Sequence, residues 1–273
     1  MVTALLIWAE KKYEILRELS VGIIGFGFIG AKVAEKLDRL GIAYKAYDPY
    51  LAEWDEDFKS CSLEEALGTD ILTLHIPLKT DEGISNYHWM DYEKMNHSPF
   101  RLLINASRGG IIEEGALIRL FDQERILDFV KDVWENEPDF NPEVAKRAFI
   151  STPHIAGYSV EAKLNATRII LDKMCTHFDI RKGKAYPSPT LSDYTELESQ
   201  SLIEVLNSVN PILIYDQELK GLPAEGNRRE SFSRLRTGRP YRTEYHHIRL
   251  AEEILQKHPM LQGLNFQTDL NTE

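Results

Sequence analysis

Three side chains in the middle of the chain have the types needed to bind a carboxylate and to move a proton. Arg108 carries a planar fork of donors that suits a carboxylate or a carbonyl oxygen. His154 is suited to exchanging a proton with a hydroxyl group, and Glu137 could hold its ring and stabilise the imidazolium that forms. Alone, each has a plainer interpretation, as a surface cation, a core histidine or a loop charge. Only their combination favours a catalytic site.

A glycine motif nearer the N-terminus predicts a dinucleotide-binding turn. Gly25-Phe-Gly27-Phe28-Ile29-Gly30 has GxGxxG spacing, follows a short apolar run and opens a helical pattern. Gly25 would permit the tight turn, Gly27 the approach of a pyrophosphate, and Gly30 close packing of the helix on the sheet. The first helical residues, Phe28 and Ile29, would offer backbone N–H groups to the phosphates. Glycines alone are weak evidence, so the strand and helix around them matter.

Asp48 follows the second predicted strand, near the spacing expected for a ribose-binding carboxylate. Such a group accepts hydrogen bonds from both ribose hydroxyls and repels a 2′-phosphate. No Lys or Arg occurs between Asp48 and Lys59 to receive that phosphate. This favours NAD over NADP, although a solvated turn aspartate before Pro49 is the plainer alternative.

The elements that must position these residues alternate between strand and helix. Strands are predicted at 21–24, 43–47, 71–74, 102–105, 128–133 and 148–151. Helices are predicted at 1–17, 29–40, 87–96, 113–121, 160–180 and 248–256. This alternation predicts an α/β fold with a Rossmann doubly wound parallel sheet.

In such sheets, ligands bind beyond the carboxyl ends of the strands. Five polar residues directly follow predicted strands: Asp48, His75, Arg108, Asp132 and His154. One such residue means little, but five predict a shared site at one rim of the sheet.

The length of 273 residues suggests about two domains. A break between Gly183 and Pro189, which contains two prolines, predicts a boundary. We expect a lead-in helix at 1–19, an NAD-binding domain at 20–156, a crossing helix at 157–184 and a smaller α+β C-terminal domain at 185–273.

Composition excludes several classes of function. The net charge of −11 argues against sequence-independent nucleic-acid binding. Cys61 and Cys175 belong to no metal-binding cluster, so we expect neither a metal site nor a disulfide. No segment reads as a signal peptide or a membrane span, and we expect a cytoplasmic protein.

The segments GFGFIG, INASRGG, KDVWENEP and TPHIAGYS together resemble the D-isomer-specific 2-hydroxy-acid dehydrogenases. Within that family, two features are similar to the branch that oxidises 4-phosphoerythronate in vitamin B6 synthesis. One is Tyr158, where relatives commonly have a small residue. The other is the C-terminal region, in which 214–216, 232–236 and 239–244 are similar to that branch's dimerisation domain.

The resemblance implies a role for each site residue. Arg108, Glu137 and His154 would be catalytic, with His154 as the acid/base, and Arg108 and Tyr158 would bind a small phosphorylated 2-hydroxy acid. Contacts to NAD would come, besides the glycine turn, from Asp48, His75, Ala106, Ser107, Arg108, Asp132 and Gly157. A homodimer is also implied. Ile76 departs from the pattern, since the branch has a threonine there.

Members of the family carry an N-terminal lobe before the helix in which this chain begins. We therefore expect an exposed apolar patch on the first helix and on the 160–180 helix, at Leu5, Tyr13, Leu164 and Leu171. Two alternatives remain open. The substrate could be of the phosphoglycerate or glyoxylate type, or the chain could be an NAD-binding fragment without catalytic activity.

Overall fold

The computed structural model describes residues 1–181, 191–194, 197, 201–222 and 227–268. They divide into two compact units. The first comprises Met1–Ala156 and Pro211–Gly238, and the second comprises Gly157–Asn210 and Arg239–Glu273. The segment 211–238, which we expected in the C-terminal domain, thus groups with the first unit. The predicted break at 183–189 lies outside the described residues.

A six-stranded parallel sheet forms the centre of the first unit, in the order β2-β1-β3-β4-β5-β6. Its strands are β1 (Ser20–Ile24), β2 (Ala43–Tyr47), β3 (Ile71–Leu74), β4 (Phe100–Asn105), β5 (Ile126–Lys131) and β6 (Ile150–Ser151). β3 is buried along its whole length, as expected for parallel strands covered on both faces. The order reverses direction between β1 and β3, which places the switch point of the doubly wound sheet beside the glycine motif.

The structure contains the helices predicted at 29–40, 113–121 and 160–180 to within three residues, a shorter helix than predicted at 1–17, and further helices that the sequence pattern does not predict. The helices are α1 (Val2–Lys12), α2 (Phe28–Leu40), α3 (Pro49–Trp54), α4 (Leu63–Leu67), α5 (Tyr92–Met95), α6 (Glu114–Asp122), α7 (Pro142–Arg147), α8 (Val160–His177), α9 (Leu202–Val209), α10 (Ile212–Lys220), α11 (Arg228–Thr237) and α12 (Glu252–Lys257). α8, α9 and α12 lie in the second unit with a parallel strand pair, β7 (Ser192–Tyr194) and β8 (Ile248–Leu250). Short 3₁₀ helices span Leu16–Glu18, Tyr245–His247 and Pro259–Leu264.

Two predicted helices differ more strongly from the structure. The helix at 87–96 begins only after Asp91, whose side chain accepts a hydrogen bond from the Lys94 N–H and caps α5. His88, before it, has a left-handed φ of 54°, which cannot continue a helix. The helix at 248–256 is instead β8 followed by α12, because Ile248–Leu250 pairs with Ser192–Tyr194.

The expected apolar patch exists on α8 but not on α1. Every residue from Val2 to Ala9 is buried, including Leu5, and Trp8 Nε1 donates to Asp128 Oδ2 at 2.9 Å. The first unit itself therefore covers the apolar residues of α1, while Tyr13 and Ile15, just beyond the helix, are exposed. On α8, Leu164 is half-buried and Leu171 is 40% exposed. Three other large apolar side chains of this helix are also exposed: Ile169, Ile170 and Met174. None of the described helices combines the length and the apolar composition of a membrane span.

Candidate active site

The turn between β1 and α2 has the geometry that its glycines predict. Gly25 has φ of +90°, a conformation that L side chains rarely adopt. A Cβ on Gly30 would lie 2.1 Å from the Gly25 carbonyl oxygen, so only glycine lets the helix start this close to the strand. A Cβ on Gly27 would meet nothing within 4 Å. The space over Gly27, at the N-terminus of α2, is therefore open to an anionic group.

The carboxylate of Asp48 is held beside this turn. Its Oδ2 accepts a hydrogen bond from the Phe26 N–H at 2.8 Å, and its Oδ1 accepts one from the Leu51 N–H at 3.0 Å. Each carboxylate oxygen has a further lone pair with which to accept a ribose hydroxyl. The glycine turn and Asp48 together fit the phosphates and ribose of a dinucleotide.

His75 follows β3 and lies against the same turn. Its N–H donates to the Ile24 carbonyl at 2.7 Å, and its ring Nε2 lies 3.0 Å from Thr73 Oγ1. Burial lowers the pKa of His75 to about 4, so the ring is neutral at pH 7. The neighbouring Ile76 packs against the core, and its Cγ2 would lie 2.9 Å from a Cβ on Gly25.

The loop that carries Arg108 is shaped by Asn105, a fully buried residue that the sequence analysis did not single out. Asn105 Oδ1 accepts hydrogen bonds from the Ser107 N–H at 3.1 Å and the Ser107 hydroxyl at 2.8 Å. Its Nδ2 donates to the Arg108 carbonyl at 3.1 Å. The backbone of Ala106–Arg108 is therefore fixed, while the Arg108 side chain is exposed. An amide at the last position of an apolar strand was the available sequence signal.

Gly109 brings the Arg108 loop into contact with the loop that carries Glu137. A Cβ at position 109 would lie 1.8 Å from the Trp134 carbonyl oxygen. No residue larger than glycine fits there without moving one of the two loops. The close approach therefore sets the spacing between the loops that carry Arg108 and Glu137.

His154 and Glu137 form a hydrogen-bonded pair. His154 Nδ1 lies 2.7 Å from Glu137 Oε2, while Glu137 Oε1 accepts the Trp134 N–H at 2.8 Å. Both side chains are partly buried. An imidazole that donates its Nδ1 hydrogen to a carboxylate keeps the lone pair of Nε2 for a substrate proton. This is the geometry of an oriented acid/base.

Asp132 holds the loop that carries His154. Its Oδ1 accepts hydrogen bonds from the Thr152 hydroxyl at 2.6 Å and the Ile155 N–H at 2.8 Å, and its Oδ2 accepts the Ala156 N–H at 2.9 Å. The His154 N–H also donates to the Asp132 carbonyl at 2.7 Å. Asp132 is buried. Its place in the structure is that of a loop anchor, and a contact with the cofactor stays a prediction.

A second polar network, which the sequence analysis missed, fixes the turn before Glu137. The Glu135 N–H donates to Glu114 Oε1 at 3.1 Å, and the Glu114 N–H donates to Glu135 Oε1 at 3.2 Å. Lys131 Nζ lies 2.8 Å from Glu114 Oε1, and both side chains are almost fully buried. His88 Nε2 lies 2.7 Å from Glu135 Oε1. The start of α6 is thereby joined to the Glu137 turn.

Gly157 and Tyr158 open the second unit. The Tyr158 ring meets the Tyr241 ring edge-on, with centroids 5.6 Å apart. Lys163 Nζ lies 4.3 Å from the Tyr158 ring centroid, a cation–π contact. A Cβ on Gly157 would meet nothing within 4 Å. Contacts of Gly157 with cofactor and of Tyr158 with substrate stay predictions.

Comparison with known proteins identifies the family. Residues 7–156 match the NAD-binding domain of the D-isomer specific 2-hydroxyacid dehydrogenases. The chain belongs to this family. The predictions of a Rossmann domain, of NAD as its cofactor and of a dehydrogenase family are therefore confirmed.

The relatives include erythronate-4-phosphate dehydrogenases from several bacteria. The one from Bacteroides thetaiotaomicron is 34% identical over 89% of this chain and 68% of its own length. The one from Proteus mirabilis is 33% identical over 91% of this chain and 68% of its own length. Their similarity to this chain therefore extends beyond the NAD-binding domain at residues 7–156.

Solved structures of the family share the fold. The NAD-complexed D-isomer specific 2-hydroxyacid dehydrogenase from Lactobacillus delbrueckii ssp. bulgaricus superposes with a TM-score of 0.51 at 25% identity, covering 63% of this chain and 57% of that one. A D-lactate dehydrogenase from Sporolactobacillus sp. gives 0.51 at 26% identity, covering 68% of this chain and 63% of that one. The chain therefore spans about three fifths of the length of these structures.

Proposed function

We propose that this chain oxidises a 2-hydroxy acid with NAD, and that the acid is 4-phosphoerythronate. The product would be 2-oxo-3-hydroxy-4-phosphobutanoate, a precursor in vitamin B6 synthesis. The observation that carries the proposal is the 2.7 Å contact between His154 Nδ1 and Glu137 Oε2, on loops held close to that of Arg108. The names of the erythronate-4-phosphate dehydrogenases support the choice of substrate.

Each catalytic side chain has one task in this mechanism. Arg108 binds the substrate carboxylate through its guanidinium and polarises the oxygen on C2. His154 Nε2 accepts the hydroxyl proton, and Glu137 stabilises the imidazolium that results. NAD, when bound, would supply the nicotinamide ring as acceptor of the hydride that leaves C2. The His154 proton is released to solvent after turnover.

The cofactor would be held by groups of the first unit. The Gly25–Gly30 turn would receive the pyrophosphate, and Asp48 the adenosine ribose. His75 and the Ala106–Arg108 backbone lie at the carboxyl ends of β3 and β4, where the nicotinamide half is expected. The neutral ring of His75 adds no charge there at pH 7.

We also propose a cytoplasmic homodimer. The free thiols of Cys61 and Cys175 suit a reducing compartment. The dimer rests on the C-terminal resemblance, and the exposed apolar side chains of α8 are compatible with it. A monomeric mass by light scattering at micromolar protein would contradict the dimer.

NADH formation, followed by absorbance, tests the proposed reaction. The protein is mixed with NAD and, in parallel, with 4-phosphoerythronate, 3-phosphoglycerate or glycolate. We expect the highest kcat/KM with 4-phosphoerythronate. A clear preference for 3-phosphoglycerate or glycolate would support the dehydrogenase activity and contradict 4-phosphoerythronate as the substrate. NADH binding without turnover of any acid would favour a non-catalytic NAD-binding chain.

A further inference from the structure

The C-terminal segment 211–238 reaches the catalytic loops of the first unit. α10 is fixed to β6, because Asp216 Oδ1 accepts hydrogen bonds from the Ser151 N–H at 2.7 Å and the Ser151 hydroxyl at 2.8 Å. Lys220 Nζ adds a hydrogen bond to the Ala148 carbonyl at 2.7 Å. β6 leads directly into the loop that carries His154. The segment lies outside the residues 7–156 that match the family's NAD-binding domain.

α11 is anchored to the chain that follows Glu137. The buried Phe232 ring packs on Phe140 with centroids 5.5 Å apart. The Arg228 Nη1 donates to the Phe140 carbonyl at 3.0 Å, and Arg229 pairs with Asp139 at 2.6 Å. Aromatic packing, a backbone hydrogen bond and an ion pair thus hold the helix at one end of the Glu137 loop.

Arg236 lies one helical turn beyond Phe232, on the same face of α11. Its Nε donates a hydrogen bond to the backbone carbonyl of His154 at 3.2 Å, and the side chain is partly buried. α11 therefore contacts both loops of the acid/base pair: that of Glu137 through Phe232, and that of His154 through Arg236.

The hydrogen bond from Arg236 is made to a residue whose backbone has an unfavourable conformation. His154 has φ of 58°, a conformation that residues other than glycine hold only when their surroundings impose it. Asp132 fixes the N–H groups of His154, Ile155 and Ala156 from the strand side. The Arg236 guanidinium fixes the His154 carbonyl, on the opposite side of the same residue.

We propose that Arg236 is a positioning residue for the reaction, and that α11 aligns the His154 imidazole with the Glu137 carboxylate through it. Arg236 acts through the His154 backbone and need not touch substrate. The proposal rests on the proposed function for its effect on turnover. Its effect on the His154 loop is separate and can be measured without substrate or cofactor.

Three full-length variants test it: Arg236→Gln, Arg236→Lys and Arg234→Gln. Arg234 is the matched control, because it is an exposed arginine of the same helix. We expect Arg236→Gln to lower kcat for 4-phosphoerythronate by about 10- to 100-fold while the KM for NAD changes less than about threefold. Arg236→Lys, which keeps a donor, should recover part of kcat. Arg234→Gln should match wild type.

Hydrogen–deuterium exchange of the free protein provides the second readout. We expect peptides that cover 152–156 to exchange about tenfold faster in Arg236→Gln, with peptides of β4 and α11 unchanged. Arg234→Gln should exchange at wild-type rates. Equal exchange of 152–156 in Arg236→Gln and wild type would overturn the proposal, as would an unchanged kcat. Faster exchange throughout the protein would also overturn it, because Arg236 would then be a general structural residue.

Failure of the proposed function gives a different pattern. The wild-type protein would then turn over no 2-hydroxy acid, so kcat could not be compared between the variants and wild type. The exchange comparison would still decide whether Arg236 holds the His154 loop.

Discussion

The Nδ1 atom of His154 lies 2.7 Å from Oε2 of Glu137, and the other oxygen of that carboxylate accepts the Trp134 N–H. Glu137 therefore has one oxygen bound to its own loop and one bound to the imidazole. A carboxylate fixed in this way orients the ring, so that Nδ1 faces Glu137 and Nε2 is left to exchange a proton with a substrate.

Replacing Glu137 by glutamine should separate catalysis from cofactor binding. An amide cannot stabilise the imidazolium as a carboxylate does, so we expect kcat to fall by about 100-fold. NADH affinity, measured by fluorescence titration, should change less than about threefold, because Glu137 contacts the histidine and not the glycine turn. Glu143→Gln, at an exposed position of α7, is the control and should leave kcat unchanged. Equal kcat in Glu137→Gln and wild type would remove Glu137 from the mechanism.

Two glycines of the β1–α2 turn should respond differently to alanine. Gly27→Ala should leave the melting temperature within about 2 °C of wild type, since its Cβ enters open space. The same methyl group would occupy the approach of the pyrophosphate, so we expect NADH binding to weaken by at least about tenfold. Unchanged NADH affinity would show that the dinucleotide does not lie over Gly27.

Gly30→Ala should instead destabilise the folded domain. Its Cβ would lie 2.1 Å from a backbone oxygen, which cannot move as a side chain can. We expect a loss of more than about 2 kcal/mol in the free energy of unfolding, measured by urea denaturation. Gly115→Ala is the control within helix α6, where a Cβ meets nothing within 4 Å. It should gain up to about 1 kcal/mol, and a comparable loss in both variants would contradict the packing argument.

The sequence predicts the sheet and the positions of the polar residues at its rim well, because both depend on local patterns. Apolar runs define β1 and β3, and the glycine spacing locates the turn between them. Asn105, Glu114 and Glu135 were not found, since their roles depend on contacts between segments distant in sequence. The helix expected at 87–96 fails for a local reason, the left-handed turn at His88. The helix expected at 248–256 fails for a long-range reason, because its first residues form β8 and pair with β7.

His75 should make stability depend on pH. Its folded pKa of about 4 lies below the ordinary value of 6.5, so between these values the unfolded chain binds more protons. The free energy of unfolding must then fall as the pH drops from 7 to 5, by about 2 kcal/mol from this group. His75→Gln, which keeps a partner for Thr73, should remove that part of the fall in urea titrations at the two pH values. Identical pH dependence in variant and wild type would contradict a neutral His75 in the folded protein.

The buried pair of Lys131 and Glu114 should show an asymmetric response to mutation. Lys131→Met leaves the Glu114 carboxylate buried without its cation, and we expect a loss of about 3–5 kcal/mol in the free energy of unfolding. The double variant Lys131→Met, Glu114→Gln removes both charges and should be less destabilised than Lys131→Met alone. Thermal or urea unfolding of the three proteins measures this. A double variant less stable than the single one would show that Glu114 acts mainly through Glu135.

The central claim is that His154 moves the substrate proton in an NAD-dependent oxidation. The most direct test is the rate of NADH formation from NAD and 4-phosphoerythronate by wild type, His154→Ala and the control His97→Ala, an exposed histidine after α5. We predict turnover by wild type and His97→Ala, and a loss of at least about 100-fold in His154→Ala. Turnover by His154→Ala at the wild-type rate would contradict the account.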